Sequence, residues 1–297
     1  MAEVMAVIQS ILSSAIRMGV PLALGALGGI YSSRAGIVAM GLEGMMLTGA
    51  FSATYFTYVT NNPWIGLLGG MISGMLIALL EGILIIRFKM DQVIGGVGIN
   101  LLALGGTNLL MQVVWDNRGK SPLVPTLGKV RLPILGNVSI ILALLIIAAV
   151  ASWVLIYKTS WGLRLRLIGE NPIEARSLGI NTKKIQYTAT ALCGLLSGLA
   201  GAYMCIDQLD FFSRNVTAGR GYIAMSIDIL GRYNPLGILA GGILFGAADA
   251  LQVVLQKFDI SGQLLQIIPY MVTLLVIVFA VKHVKAPASL GKNVEDE

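Results

Sequence analysis

Five ionisable side chains stand within or beside strongly apolar runs: Arg17, Glu43, Glu81, Asp228 and Asp249. If those runs cross a bilayer, each unpaired charge at its centre costs about 2.5–3.5 kcal/mol or more. Such groups must then pair, face a wet cavity or sit near an interface. Glu81 precedes the basic end at Arg87 and reads as interfacial, and Asp249 reads as pairing across helices. Glu43, within Gly41-Leu-Glu-Gly44, stays open between structural pairing and gating. A second polar set, Asn100, Thr107, Asn108 and Gln112, projects within an arc of about 140° at helical spacing. It suits either interhelical hydrogen-bond glue or the lining of a path for a hydrogen-bonding solute. Glu43 and Asp228 join these four as candidate pathway residues.

Other chemistries are excluded. His283 is the only histidine, and Cys193 and Cys205 fall in one apolar segment. In a helix those two thiols stand about 18 Å apart, too far to bridge. No zinc or haem ligand set, paired carboxylate or nucleophile with its base can be assembled, so no catalytic residue, metal or cofactor is expected. Gly119-Lys120-Ser121 has the tail of a phosphate-binding loop, but Val114 stands where that loop needs glycine.

Membrane helices must position these residues. Of 297 residues, 56% are hydrophobic and only 12% charged, and the mean hydropathy is +0.81. A soluble domain carries about 25% charged residues. Apolar runs near 20 residues, the length needed to cross roughly 30 Å of hydrocarbon, recur at 8–31, 37–59, 64–86, 92–115, 138–157, 186–206, 235–256 and 263–281. A shorter piece, 221–231, is cut from its successor by Arg232-Tyr233-Asn234-Pro235 and reads as a half-helix or re-entrant segment. The fold class is therefore all-α and polytopic, with eight or nine spans. Met1-Ala2-Glu3 lacks the basic start of a cleavable signal.

The net charge of +6 lies between spans and reports topology rather than a nucleic-acid partner. Lys158, Arg164, Arg166, Arg176, Lys183 and Lys184 place the 158–186 loop in the cytoplasm, and Arg34, Arg87 and Lys89 agree. The basic outer loop 116–137 fits the rule less well. A cytoplasmic tail with Lys282, Lys285 and Lys292 requires 221–256 to supply a broken pair of passes. Glycine, 36 residues, recurs four apart inside spans, as at Gly70/Gly74 and Gly194/Gly198, where small residues let helices approach in lipid. Tight bundle packing and pairing with a second subunit both remain open. The organisation expected is one transmembrane domain over 1–285, with a cytoplasmic loop at 158–185, and a polar tail over 286–297.

The loop segment from Gly169 to Ile180 carries its own helix signals. Asn171 suits an N-cap, Pro172 the first turn, Glu174 the positive helix end and Gly179 the C-terminal stop. A short surface helix results, either a solvated connector or a docking element.

Here the chain resembles the inner-membrane permease subunits of ATP-binding-cassette importers. Glu174-Ala175-x-x-x-Gly179 is similar to that family's coupling loop, which docks on the ATPase subunit, although its later Ile-x-Leu-Pro is missing. The branch resembled serves branched-chain amino acids, simple sugars and nucleosides. The segments Arg34 to Phe51, Ile99-Asn-Leu-Leu-Ala103, Gly221-Tyr-Ile-Ala224 and Asn234-Pro-Leu-Gly237 look most like nucleoside-type permeases. Asp228 departs from that pattern, where an apolar residue is expected. The resemblance implies a bacterial inner-membrane permease without ATPase activity of its own. It implies contact with the ATPase through Gly169, Glu170, Asn171, Pro172, Glu174, Ala175 and Gly179. The partners implied are the ATPase subunit, a second related or identical permease, an extracytoplasmic solute-binding protein and membrane lipid. The alternatives are an ion-coupled secondary transporter using Asp228 and Asp249, or the same importer role with a sugar or branched-chain amino acid as solute.

Overall fold

The computed structural model describes residues 2–117, 119–132, 136–255 and 285–292, with single helical positions at 267, 271 and 274. The described residues are mostly helical. In order come α1 (Ala2–Arg34), α2 (Leu42–Thr60), α3 (Pro63–Gly82) with a π-helical turn Ile83–Arg87, and α4 (Gln92–Trp115). A short hairpin, β1 (Lys129–Leu132) and β2 (Gly136–Ser139), leads to α5 (Ile140–Lys158), α6 (Ser160–Glu170) and α7 (Pro172–Ser177). Next are α8 (Thr182–Tyr203) with a second π-helical turn Met204–Leu209, α9 (Arg220–Leu230) and α10 (Pro235–Leu255). The antiparallel hairpin, with Lys129 opposite Ser139, is a small departure from an all-α expectation and lies in the outer loop.

Six of these helical stretches are long and apolar enough to cross a membrane: those over 13–34, 63–87, 92–115, 140–158, 182–209 and 235–252. Lipid offers no hydrogen bonds, so every backbone polar group must be satisfied inside the span, and a continuous helix does this. The 19-residue α2 carries Glu43 and four threonines, and most of it is sheathed by protein. Its threonines return their hydroxyls to their own helix: Thr54 donates to the Ala50 carbonyl at 2.9 Å and Thr57 to that of Ala53 at 2.7 Å.

Burial separates centre from rim. The apolar window of α8 is 83% buried, whereas that of α5 is 28% buried. α8 packs on α1, α2 and α3, while α10 lies along α1. Glycine sets the α3–α8 spacing: a Cβ on Gly74 would fall 2.4 Å from the Gly194 carbonyl oxygen, and one on Gly198 2.3 Å from that of Gly70. The spaced glycines thus bring two backbones into contact, where dispersion rather than water exclusion holds them. α5 instead turns Ile146, Ile147 and Val150 outward, the composition of a lipid-facing helix.

The broken pass expected from the sequence is present. After the π-turn ending at Leu209 the chain runs through turns without regular helix to Gly219, then forms α9, only 11 residues long. At 1.5 Å per residue α9 rises about 16 Å, half the hydrocarbon thickness. Its start lies beside Glu43 of α2, and its far end beside Arg34 at the foot of α1. The irregular half is anchored by buried Phe212, Val216 and Thr217, while Arg214, Asn215 and Ala218 stay exposed. At the outer end it is flanked by the segment after α4, where the Ser121 and Val124 amides donate to the Phe212 and Asp210 carbonyls, both at 2.9 Å. The expected span over 263–281 and His283 lie outside the described residues, apart from the isolated helical positions. The tail residues 285–292 lie at the same end as α6, where the Ser289 hydroxyl donates to the Gly169 carbonyl.

Candidate functional site

Two groups of residues carry the functional question: a junction inside the membrane where α2, α4 and α9 meet, and the loop helix α7.

The junction forms around helix starts, whose first amides have no partner within their own helix. α2 begins after the loop 35–41 has run along the first turns of α4. Its leading amides are taken by side chains from neighbouring helices. Gly41 N donates to Glu81 Oε1 at 3.0 Å, and Gly44 N to Asn100 Oδ1 at 2.8 Å. Asn100 also donates through Nδ2 to the Met40 carbonyl at 2.8 Å and to Tyr222 Oη at 2.9 Å. One carboxamide therefore ties α4 to the start of α2 and the start of α9.

α9 is capped from outside its own sequence. Glu43 Oε1 accepts from the Gly219 amide at 2.8 Å and from the Thr217 hydroxyl, while Oε2 accepts from the Gly221 amide at 2.7 Å. The positive end of a helix and three donors make this a favourable place for a carboxylate in low dielectric. Gly221 admits it closely, since a Cβ there would meet Glu43 N at 2.4 Å. Of the two roles left open for Glu43, structural pairing is what these bonds accomplish.

Asp228 sits near the other end of α9, 1% exposed. Its Oδ2 accepts from Ser33 Oγ at 2.7 Å, and Oδ1 has no hydrogen-bond partner among the described residues. The neighbouring Arg34 guanidinium donates to the Tyr233 carbonyl at 2.8 Å and to Tyr157 Oη at 3.2 Å. Asp249 pairs across helices as expected, 4.0 Å from Arg220 Nε. Glu81 is structural too, but it is buried against Gly41 N rather than reaching for Arg87 at an interface. Arg17 donates to the Gln208 carbonyl at 2.7 Å.

The α4 polar stripe divides. Asn100 and Thr107 face the bundle, and Thr107 donates to its own helix at Ala103 O, 2.7 Å away. Asn108 is half-buried with Oδ1 unpartnered among the described residues, and Gln112 is exposed. Around them the exposed face carries Gly98, Gly105 and Gly106, each with open space where a Cβ would go. Asn100 and Glu43 thus serve one junction, while Gln112 belongs to an open face, Asn108 sits half-buried at its edge with its Oδ1 turned inward, and Asp228 belongs to the far end of α9.

α7 matches its local signals closely. Asn171 Oδ1 accepts from the Ile173 and Glu174 amides at 3.2 and 3.3 Å. Pro172 opens the helix, and Gly179 takes φ +75° after its end. Ala175 is fully buried, anchoring the inner side, whereas Ile173 and Leu178 are 66% and 72% exposed. Glu170 and Glu174 are exposed beside them. Sequence reasoning missed α6, on which α7 hangs, and three polar anchors, Gln92, Thr217 and Tyr222. Gln92 Oε1 accepts from Val38 N at 2.7 Å. A glutamine at the start of an apolar run was the only available signal.

Comparison with known proteins fits this arrangement. The family model described as branched-chain amino acid transport system / permease component matches residues 11–281. The guanosine ABC transporter permease protein NupQ of Bacillus subtilis is 32% identical over 311 residues, covering 97% of each chain. The nucleoside ABC transporter permease protein NupC of Lactococcus lactis is 32% identical over 307 residues, covering 96% of each. Among solved structures, PsaBC from Streptococcus pneumoniae in complex with Fab has a TM-score of 0.53 at 13% identity, covering 92% of this chain and 91% of that one, a likeness of fold. These matches favour a permease subunit over an ion-coupled carrier. The chain belongs to the branched-chain amino acid transport system permease family, whose members are multi-pass membrane subunits of transport systems rather than enzymes.

Proposed function

We propose that this chain is one permease half of an ATP-driven importer of the bacterial inner membrane and that its solute is a nucleoside. The observation that carries the coupling role is the exposed apolar pair Ile173 and Leu178 on a helix pinned from beneath by Ala175. A solvated connector has no use for two large apolar side chains at that exposure, whereas a docking helix buries them in its partner. Glu174 and Gly179, with Gly169, Glu170, Asn171, Pro172 and Ala175, form the docking segment for a separate ATPase subunit. The nucleoside assignment follows from the whole-length likeness to NupQ and NupC. An extracytoplasmic binding protein delivers solute, and a second permease, related or identical, completes the path.

The open face of α4, with Asn108 and Gln112 among unfilled glycines, is the surface across which that second half would stand. In this reading Asn108 and Gln112 meet the solute, while Glu43, Asn100 and Thr107 hold the wall that presents them and Asp228 secures the cytoplasmic end of α9. Residues 1–285 form the permease domain and 286–297 its appended tail. ATP binding closes the ATPase pair and displaces α7, and transport follows to the extent that the two membrane arrangements differ in docking free energy. The test is competition for uptake in cells carrying the complete system. Guanosine, adenosine or uridine should block uptake of a labelled nucleoside, with glucose and leucine inert; displacement by glucose or leucine instead would reassign the solute.

A further inference from the structure

The polar tail contains a turn that is packed into the cytoplasmic end of the bundle. Ser289 is only 7% exposed. Its amide donates to the Gly169 carbonyl at 2.9 Å, and its hydroxyl donates to the same oxygen at 2.6 Å, with the Ile168 carbonyl at 3.1 Å as a second acceptor in range. Ile168 and Gly169 lie in the last turn of α6, whose carbonyls have no acceptor role left inside the helix. Ser289 thus caps the helix from which α7 hangs.

The same turn grips the loop between α1 and α2. The Gly291 amide donates to the Gly36 carbonyl at 3.3 Å, and Gln92 Nε2 reaches both the Gly36 carbonyl at 3.3 Å and that of Lys292 at 3.4 Å. Gly36 holds φ +83°, and a Cβ on it would fall 2.5 Å from Ser289 Oγ, so only glycine admits the serine. Gly169 is as tightly placed: its Cβ would meet the Arg34 carbonyl oxygen at 2.3 Å and Pro287 Cβ at 3.4 Å. Beyond Gly36 the loop runs directly into Gly41, Glu43 and Gly44, the residues held by Glu81, α9 and Asn100.

We infer that the 287–292 turn is a positioning latch for energy coupling, with Ser289 as its pin. It joins the end of α6 to the α1–α2 loop, so that displacement of α7 moves the start of α2 and the Glu43 cap of α9 as one body. Without the latch α7 still docks, but its motion dissipates in a loosened α6 end. The inference rests on the reading of α7 as the ATPase-docking helix.

The test uses the complete transporter in proteoliposomes and reads solute moved per ATP hydrolysed, beside the amount of ATPase retained by the permease. Ser289→Ala removes the hydroxyl alone, and a chain ending at Ala286 removes the latch. Ser289→Ala should lower the ratio about two- to tenfold, the scale of one net hydrogen bond, and truncation should lower it further, both with ATPase retention unchanged. Unchanged ratios in both would overturn the latch. A Glu174→Ala/Gly179→Ala control separates the two ideas: if that pair leaves transport intact, the docking reading fails, whatever the tail variants do.

Discussion

Glu43 Oε2 lies 2.7 Å from the Gly221 amide, so a side chain on the first turn of α2 supplies the N-terminal cap of a helix 178 residues later. That relationship fixes where α9 begins inside the membrane. It also accounts for a buried carboxylate, where three donors and a helix dipole replace its hydration.

Removing the carboxylate should therefore loosen α9 before anything else. Glu43→Ala leaves Thr217, Gly219 and Gly221 without an acceptor, each bond to a charged group being worth about 1.5–3 kcal/mol. Glu43→Gln keeps one oxygen but points an amide donor at a backbone amide. Thermal unfolding of the detergent-purified complex should rank native above Gln above Ala. An Ala variant that melts with the native protein would refute the cap.

Asn100 and Gln112 should behave as opposites although both lie on α4. Asn100→Leu breaks three hydrogen bonds that join three helices and should reduce the yield of folded protein. Gln112→Leu changes an exposed position and should keep yield and melting while altering the KM for uptake. Measuring yield by fluorescence size exclusion and KM by initial uptake rates separates wall from lining.

The glycines divide in the same manner. Gly74→Val places its side chain against the Gly194 carbonyl and Gly198 and should separate α3 from α8, giving little folded protein. Gly105→Ala meets nothing within 4 Å and should insert and melt normally in the isolated subunit. Quantifying both in membranes by immunoblot after protease challenge checks the contrast.

Much of this architecture is legible in the sequence because the bilayer imposes local rules. The spans that fall on described residues, the break at Arg232 to Pro235 and the caps of α7 each depend on residues within a turn or two, and each stands within a few residues of where the pattern places it. The roles of Glu43 and Asn100 are not legible, since their partners are mainly backbone amides and carbonyls of distant segments, and backbone groups leave no trace in residue type. The α4 stripe was readable as an arc, but its division between Asn100 and Gln112 depends on which neighbours stop short of the helix. Ser289 looked like one more polar tail residue because the glycines that receive it lie at 36 and 169.

On α7 the exposed apolar pair gives the sharpest contrast with a connector. Ile173→Asp/Leu178→Asp should leave membrane insertion intact and abolish co-purification of the ATPase subunit. Gly179→Ala has room for its methyl group but must hold φ +75°, a strain of about 1–2 kcal/mol for a residue with a Cβ. It should weaken ATPase retention partially, as read by pull-down at graded ATPase concentration.

The central claim is that this subunit moves a nucleoside by coupling at α7 to ATP hydrolysis in a partner. The most direct measurement is uptake of labelled guanosine into proteoliposomes holding the permease pair, the ATPase and the binding protein, with ATP enclosed and ion gradients collapsed by ionophore. The account predicts uptake that needs ATP, survives the ionophore and is lost in Glu174→Ala/Gly179→Ala while the binding protein still holds guanosine. Uptake that proceeds without the ATPase and collapses with the ion gradient would contradict it.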